Sequence, residues 1–264
     1  MPVTESFRQR FSGIARLYGE EALERLASAH MVVAGLGGVG SWVAEALARS
    51  GVGQLTIIDL DEVCVTNSNR QIHALQGNIG HSKTAVMAER LRAINPELQV
   101  NEIDDFLDTG NITRYIQPQQ HIVIDAIDAV SVKAALVAYC KARKIRLITV
   151  GSAGGKSDPC RVTVSDLGKT LSDPMLAKVR QLLYRRYNFA RDSHRRFGVD
   201  AVYSSEQAVF PKPDGSVCQQ KSAMADGVKL DCSAGFGSAS MLTGTMGFVA
   251  AEKAIQRYLQ KMAS

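Results

Sequence analysis

Behind a glycine-rich stretch, Gly35-Leu36-Gly37-Gly38-Val39-Gly40, the chain carries two acids, Asp59 and Asp61, then Asn69-Arg70-Gln71, then Lys83, and further on Asp125 and Asp128. Two cations kept near a phosphate cradle serve nucleotidyl transfer, because negative charge builds on the α-phosphate and on the departing pyrophosphate. Hydride transfer from a nicotinamide cofactor needs no such pair. Arg70 and Lys83 are the candidate cations, and Asp128 the candidate ligand for Mg²⁺. Singly, each has a plainer reading: a solvated first-turn lysine, a surface loop arginine, an N-cap for the helix that follows. Together, behind a glycine loop, they point to ATP.

The elements that must position these residues are legible. Met31-Val32-Val33-Ala34 is an apolar run, and Trp42 to Arg49 reads as a helix, so the glycines sit in a strand–turn–helix. Gly35 permits the tight turn, Gly37 lets a phosphate approach the backbone, and Gly40 lets helix and strand pack closely. Gln54 to Ile58 is a second strand, and Asp59 at its end stands where a carboxylate reaches a ribose hydroxyl. The long polar segment from Asp61 to His81 reads as a functional loop. A helix from Ser82, strands at Leu98–Ile103 and His121–Asp125, a helix from Ser131 to Arg143 and a strand at Ile145–Val150 complete an alternation that implies a parallel, doubly wound sheet. Asp59, Asp125 and Gly151 should meet on one rim at its carboxyl end.

Beyond Gly151 the rhythm changes. Cys160–Val164 alternates like an antiparallel strand, Pro174–Tyr187 is a helix, Ala201–Tyr203 a short strand, Pro211–Gly215 a turn and Ser238–Met262 a final helix. The expected fold class is therefore α/β, a doubly wound, mostly parallel Rossmann-like sheet with a C-terminal antiparallel extension and a final buried helix. Its parts are an N-terminal helical arm (1–30) with Leu23 and Leu26 on one face, a nucleotide-binding core (31–151) and an extension (152–264) packed on the same domain.

The chain has 264 residues, 45% of them hydrophobic, which suffices for a large core. Its five cysteines form no CxxC pair, so neither a zinc site nor a disulfide framework is indicated, and the N-terminus lacks the apolar core of a signal peptide. A reducing, cytoplasmic setting is expected. Cys232–Ala251 carries no charge and is long enough to span a bilayer, but its many Gly, Ser and Thr residues favour a tightly packed buried helix.

The motifs, with Ile58-Asp59-Leu60-Asp61 and Asp125-Ala126-Ile127-Asp128, resemble the adenylation domain of ubiquitin-activating-like enzymes, from about Arg10 to Gly151. That resemblance implies that Gly35, Gly37, Gly38 and Gly40 hold phosphates, that Asp59 binds ribose with Asp61 near it, that Asn69, Arg70 and Lys83 bind phosphates, and that Asp128 ligates Mg²⁺. It implies ATP and Mg²⁺, leaves an additional monovalent cation open, and implies a homodimer in which Arg16 or Arg10 acts across the interface. The missing zinc cysteines, Gly13 where the family's second N-terminal arginine is expected, and the segments Arg16–Gly19, Gly151–Gly155, Tyr203–Glu206 and Asp231–Gly237 resemble one branch, the tRNA threonylcarbamoyladenosine dehydratases. These activate the threonyl carboxylate of a modified adenosine with ATP and close a ring within the nucleoside. Intramolecular attack needs no enzyme thiol, since proximity favours closure.

A tRNA partner has a second source of support. Lys178, Arg180, Arg185, Arg186, Arg191, Arg195 and Arg196 cluster with Tyr184, Tyr187, Phe189 and His194, against one acid, Asp192, in a chain of net charge +5. Cations would meet phosphates and aromatics could stack on unpaired bases; a solvated basic helix face is the plainer alternative. Cys232, before the final helix, is a candidate contact for a cysteine desulfurase system or simply a small buried hydrophobe. Two other functions stay open: adenylation of a small sulfur-carrier protein, and a scaffold with a vestigial nucleotide site.

Overall fold

The computed structural model describes residues 3–191, 195–212, 214–219 and 236–260. Thr4 accepts a hydrogen bond from the Phe7 N–H and caps α1 (Glu5–Arg10); α2 (Ser12–Tyr18) and α3 (Glu20–Ala27) follow. Phe7, Phe11, Ala15 and Leu23 form a small apolar cluster of their own, while Leu26 joins the main core.

The core alternates strands and helices: β1 (His30–Ala34), α4 (Gly40–Arg49), β2 (Gln54–Ile58), α5 (Lys83–Ile94), β3 (Gln99–Ile103), α6 (Ile112–Tyr115), β4 (Ile122–Asp125), α7 (Val130–Ala142) and β5 (Arg146–Val150). Then come β6 (Val162–Asp166), α8 (Pro174–Arg186), β7 (Asp200–Ser204), the hairpin strands β8 (Phe210–Pro211) and β9 (Val217–Cys218), and α9 (Ser240–Gln260). Seven strands form one sheet in the order β3-β2-β1-β4-β5-β7-β6. The chain reverses direction of travel between β1 and β4, which opens a crevice at their carboxyl ends, as this topology requires.

The extension is less separate than its sequence suggests. β7 pairs in parallel with β5, and within the seven-stranded sheet β6 alone runs antiparallel, against β7. Asp125 is a correction: it ends β4 but does not reach the rim. Its carboxylate is fully buried, accepting hydrogen bonds from Lys133 Nζ at 2.8 Å and Thr149 Oγ1 at 2.7 Å. The polar groups satisfy one another inside the sheet–helix interface, as buried charge must.

Within the described part of the uncharged segment, α9 packs along α4. A Cβ on Gly247 would lie 2.6 Å from Trp42 Cβ and 2.9 Å from the Val39 carbonyl oxygen, so glycine is what lets the two helices touch. Leu242, Met246, Ala250, Ala251 and Ala254 bury the same face. Among the described residues no helix is long and apolar enough to cross a membrane.

Candidate active site

The glycine turn forms because Gly35 takes φ 88°, and a Cβ there would meet the Ala126 carbonyl oxygen at 2.9 Å. The loop thus lies directly against the backbone leaving β4. Gly37 faces open space, whereas a Cβ on Gly40 would lie 1.8 Å from the Gly35 carbonyl oxygen. Gly37 leaves room for a ligand at the start of α4, where backbone N–H groups and the helix dipole favour an anion. Gly40 serves close packing and does not line the cavity.

That cavity, of about 640 Å³, is lined by Gly35, Gly37, Gly38, Asp59, Asp61, Arg70, Lys83 and Asp128, among others. Asp59 is anchored: its Oδ2 accepts from the Leu36 N–H at 2.6 Å and its Oδ1 from the Asp61 N–H at 3.0 Å. It ties the end of β2 to the glycine loop. Burial raises its pKa, against the opposing pull of Lys83 and of these two N–H donors.

Lys83 is not the solvent-facing lysine its place in a first helical turn suggests. It is 4% exposed, with Nζ 2.7 Å from Asp61 Oδ2 and 3.9 Å from Asp59 Oδ1. The bridge between Glu62 and Ser82 folds the long loop back so that α5 starts beneath the cleft. Arg70 is held from both ends. Its guanidinium donates to the Thr66 carbonyl and to Asn69 Oδ1, and its own carbonyl accepts from Trp42 Nε1 and Thr243 Oγ1. Asn69 does not line the cavity; its amide nitrogen donates to the Ser238 carbonyl, so it braces Arg70 and ties the loop to the chain before α9.

Asp128 lines the cavity, is exposed, and caps nothing, since the N-cap of α7 is Ala129. Arg16 is exposed on α2, and Arg10 donates to the Ile94 carbonyl at the far end of α5; both stand outside the cavity of their own chain. Cys232 lies outside the described residues, and among those described no cluster of His, Cys, Asp or Glu has the form of a metal site.

Some of the lining was missed from sequence. Asn67, two residues before Asn69, lines the cavity and accepts from the Cys64 N–H at 3.0 Å. Cys64 also lines it, and the Thr66 hydroxyl donates to its sulfur and lowers the thiol pKa. The crossover segment Gly151-Ser152-Ala153-Gly154 closes one side, held by Asp173: its carboxylate accepts from the Ser152 N–H and, at the N-cap of α8, from the Leu176 N–H. Phe236 and Thr243 close another from the C-terminal region. The pattern Gly151–Gly155 was a signal, but the side chain that shapes it, Asp173, is remote in sequence.

The basic cluster needs correction. Tyr184 and Phe189 stack edge-on against buried Phe197, with ring centroids 5.8 and 4.9 Å apart, so these half-buried rings are packed against the core and are not free stacking platforms. Arg180 donates to the Leu167 carbonyl and to Thr170. Lys178, Arg185, Arg186, Arg191, Arg195 and Arg196 are exposed. His194 and Asp192 lie outside the described residues.

The ThiF family model matches residues 11–263. The chain belongs to the ThiF family. It is 51% identical over 261 residues to the tRNA threonylcarbamoyladenosine dehydratase of Escherichia coli (strain K12), covering 99% of this chain and 97% of the relative. A solved TcdA (CsdL) chain superposes with a TM-score of 0.91 at 49% identity, covering 100% of this chain and 99% of its own. The E. coli enzyme solved in complex with ATP gives a TM-score of 0.87 at 47% identity, again covering 100% and 99%.

Proposed function

We propose that this ThiF-family chain dehydrates N6-threonylcarbamoyladenosine in tRNA to its cyclic form, using ATP to activate the threonyl carboxylate. The observation that carries the reading is the near full-length likeness to the E. coli dehydratase, whose solved complex holds ATP. The cleft supports it. Gly37 and Gly38 offer the backbone N–H groups of a helix start to the phosphates, and Arg70 and Lys83 stand ready for charge on the α-phosphate and pyrophosphate. Asp59, which lines the cleft beside the glycine loop, is the carboxylate assigned to a ribose hydroxyl. The carboxylate oxygen attacks the α-phosphorus and pyrophosphate leaves; a group of the same nucleoside then attacks the activated carbonyl and AMP leaves with that oxygen. The net change in the nucleoside is loss of one water.

Asp128 is the residue that fits Mg²⁺, because its exposed carboxylate faces the cavity with no capping duty, while Asp61 is paired with Lys83. Bound there, the ion would neutralise phosphate charge. Arg16 and Arg10 can reach a nucleotide only from a second copy, so a homodimer belongs to the same proposal. The test is ATP turnover with and without tRNA from cells lacking this protein, followed by mass spectrometry of the digested nucleosides. AMP formation with loss of one water from the modified nucleoside is expected. AMP formation that leaves the nucleoside unchanged would overturn the proposal in favour of a protein carboxylate, and no turnover would favour a scaffold.

A further inference from the structure

A second cavity, also of about 640 Å³, opens at the opposite end of the sheet, among the amino ends of β4, β5 and β7 and the end of β6. Five cations line it, Arg146, Lys169, Arg196, Lys253 and Arg257, against two carboxylates, Asp166 and Asp200. Both acids have structural work. Asp200 accepts from Arg257 Nε at 2.5 Å and Nη2 at 2.8 Å. Asp166 accepts from the backbone N–H groups of Gly168, Phe197 and Gly198. Lys169 and Arg196 are exposed and have no carboxylate partner among the described residues. Such a lining attracts an anion, and nothing in the nucleotide chemistry of the first cleft uses it.

The surface around it indicates which anion. Phe197, next to Arg196, packs against Tyr184 of α8, and the Arg191 guanidinium lies 5.7 Å over that same ring. Arg191 thus lies beside the ring packing that adjoins Arg196, and further exposed cations stand at Arg195 and, in the last turn of α8, at Arg185 and Arg186. A small free anion needs one enclosed seat; further exposed cations outside it suit a polymer of phosphates. The strands between the two cavities are four or five residues long, which separates them by about 17 Å at the rise of an extended chain. A mononucleotide does not span that distance, whereas an RNA arm does.

We propose that this basic cavity and its rim hold phosphodiester groups of the RNA substrate at a distance from the nucleotide being modified, an inference that rests on the tRNA assignment above. The contact is to phosphates and carries no base readout, so it sets affinity and orientation and leaves sequence choice to the cleft.

The experiment measures binding of tRNA over a range of salt for the full-length protein and for a Lys169→Glu, Arg196→Glu double variant. ATP binding and thermal unfolding serve as folding controls, and a Lys169→Gln, Arg196→Gln variant stands in if charge reversal disturbs folding. The expected result is affinity for tRNA lowered roughly tenfold or more, with the slope of log affinity against log salt shallower by about two, while ATP binding is retained. Unchanged tRNA affinity and slope would overturn the proposal. So would an inorganic phosphate titration in which the variants lose phosphate binding but keep tRNA binding, since that marks a free-anion seat. Conversion of the modified nucleoside is scored separately. A variant effect on tRNA binding alongside a wild-type protein that leaves the nucleoside unchanged would uphold the phosphate seat and remove the dehydratase assignment.

Discussion

Lys83 shows how far a residue's role depends on what it faces. Removing its ammonium would take a cation from the proposed phosphate site and also strand Asp59, which is largely buried, and Asp61. Lys83→Ala should lower kcat/KM at least a hundredfold, and should also lower stability by about 1–3 kcal/mol, because a charge that loses its partner inside a fold is costly. Turnover assays and thermal unfolding check both; full activity would remove Lys83 from the chemistry. Asp128 should behave oppositely. It is exposed and caps nothing, so Asp128→Ala should leave unfolding within about 0.5 kcal/mol of wild type and abolish turnover or raise the Mg²⁺ requirement. His73 offers a pH test. It is fully buried, neither ring nitrogen has a hydrogen-bond partner, and burial, with Lys83 and Arg90 nearby, lowers its pKa from 6.5 to about 4. The folded state holds it neutral while the unfolded chain protonates it. Its contribution is therefore present above pH 6.5 and is lost as the pH falls toward 4, by up to about 3 kcal/mol. Stability against pH should fall less steeply across that window in His73→Leu than in wild type, as measured by denaturant unfolding.

At the scale of elements, the helix–helix contact between α4 and α9 holds the site together. α4 begins at the glycine loop, and in the first turn of α9 the Thr243 hydroxyl donates to the carbonyl of Arg70. Gly247→Leu should therefore do more than destabilise by about 1–3 kcal/mol through overpacking against Trp42 and the Val39 carbonyl; it should also weaken ATP binding by moving the Arg70 loop. Gly244→Ala is the control, because its Cβ would meet Trp42 at 3.7 Å, an ordinary contact. Equal effects of the two substitutions on unfolding and on ATP affinity would show that the close approach is unimportant. The strands, helices and their order were readable from periodicity and glycine placement. The asymmetry between Gly244 and Gly247 was not, since both sit in the same stripe of small residues and only the crossing of the two helices separates them.

For the whole molecule, the glycine-loop cavity opens at one end of the sheet and a cavity lined by five cations at the other. Charge reversal at Arg185 and Arg186 should weaken tRNA binding in a salt-dependent manner, because both are exposed and free of carboxylate partners among the described residues. Binding isotherms at two salt concentrations check this, and equal affinity at both would place the RNA elsewhere. The aromatic residues interleaved with these arginines looked like a base-stacking surface in sequence. Composition cannot distinguish a ring that faces solvent from one that packs on Phe197; the partner that decides it comes from the segment between α8 and β7, not from the helix itself.

By itself the sequence determined the class of fold and the strand–turn–helix with its glycine loop, and it singled out Asp59, Arg70, Lys83 and Asp128 as candidates, because these follow from residue type and from spacing along the chain. The tertiary structure alone decided which of them share a cavity. It buried Lys83 between two carboxylates, withdrew Asp125 into the sheet with Lys133, and left Gly40 to packing and Asn69 to bracing. It also brought Phe236 and Thr243 to the cleft from distant parts of the chain, and bonded Asp173 to the Ser152 N–H of the cleft wall. The physical reason is the same in each case. Periodicity records which face of an element is apolar, but the partner of a polar group is set by which elements meet at the carboxyl end of the sheet.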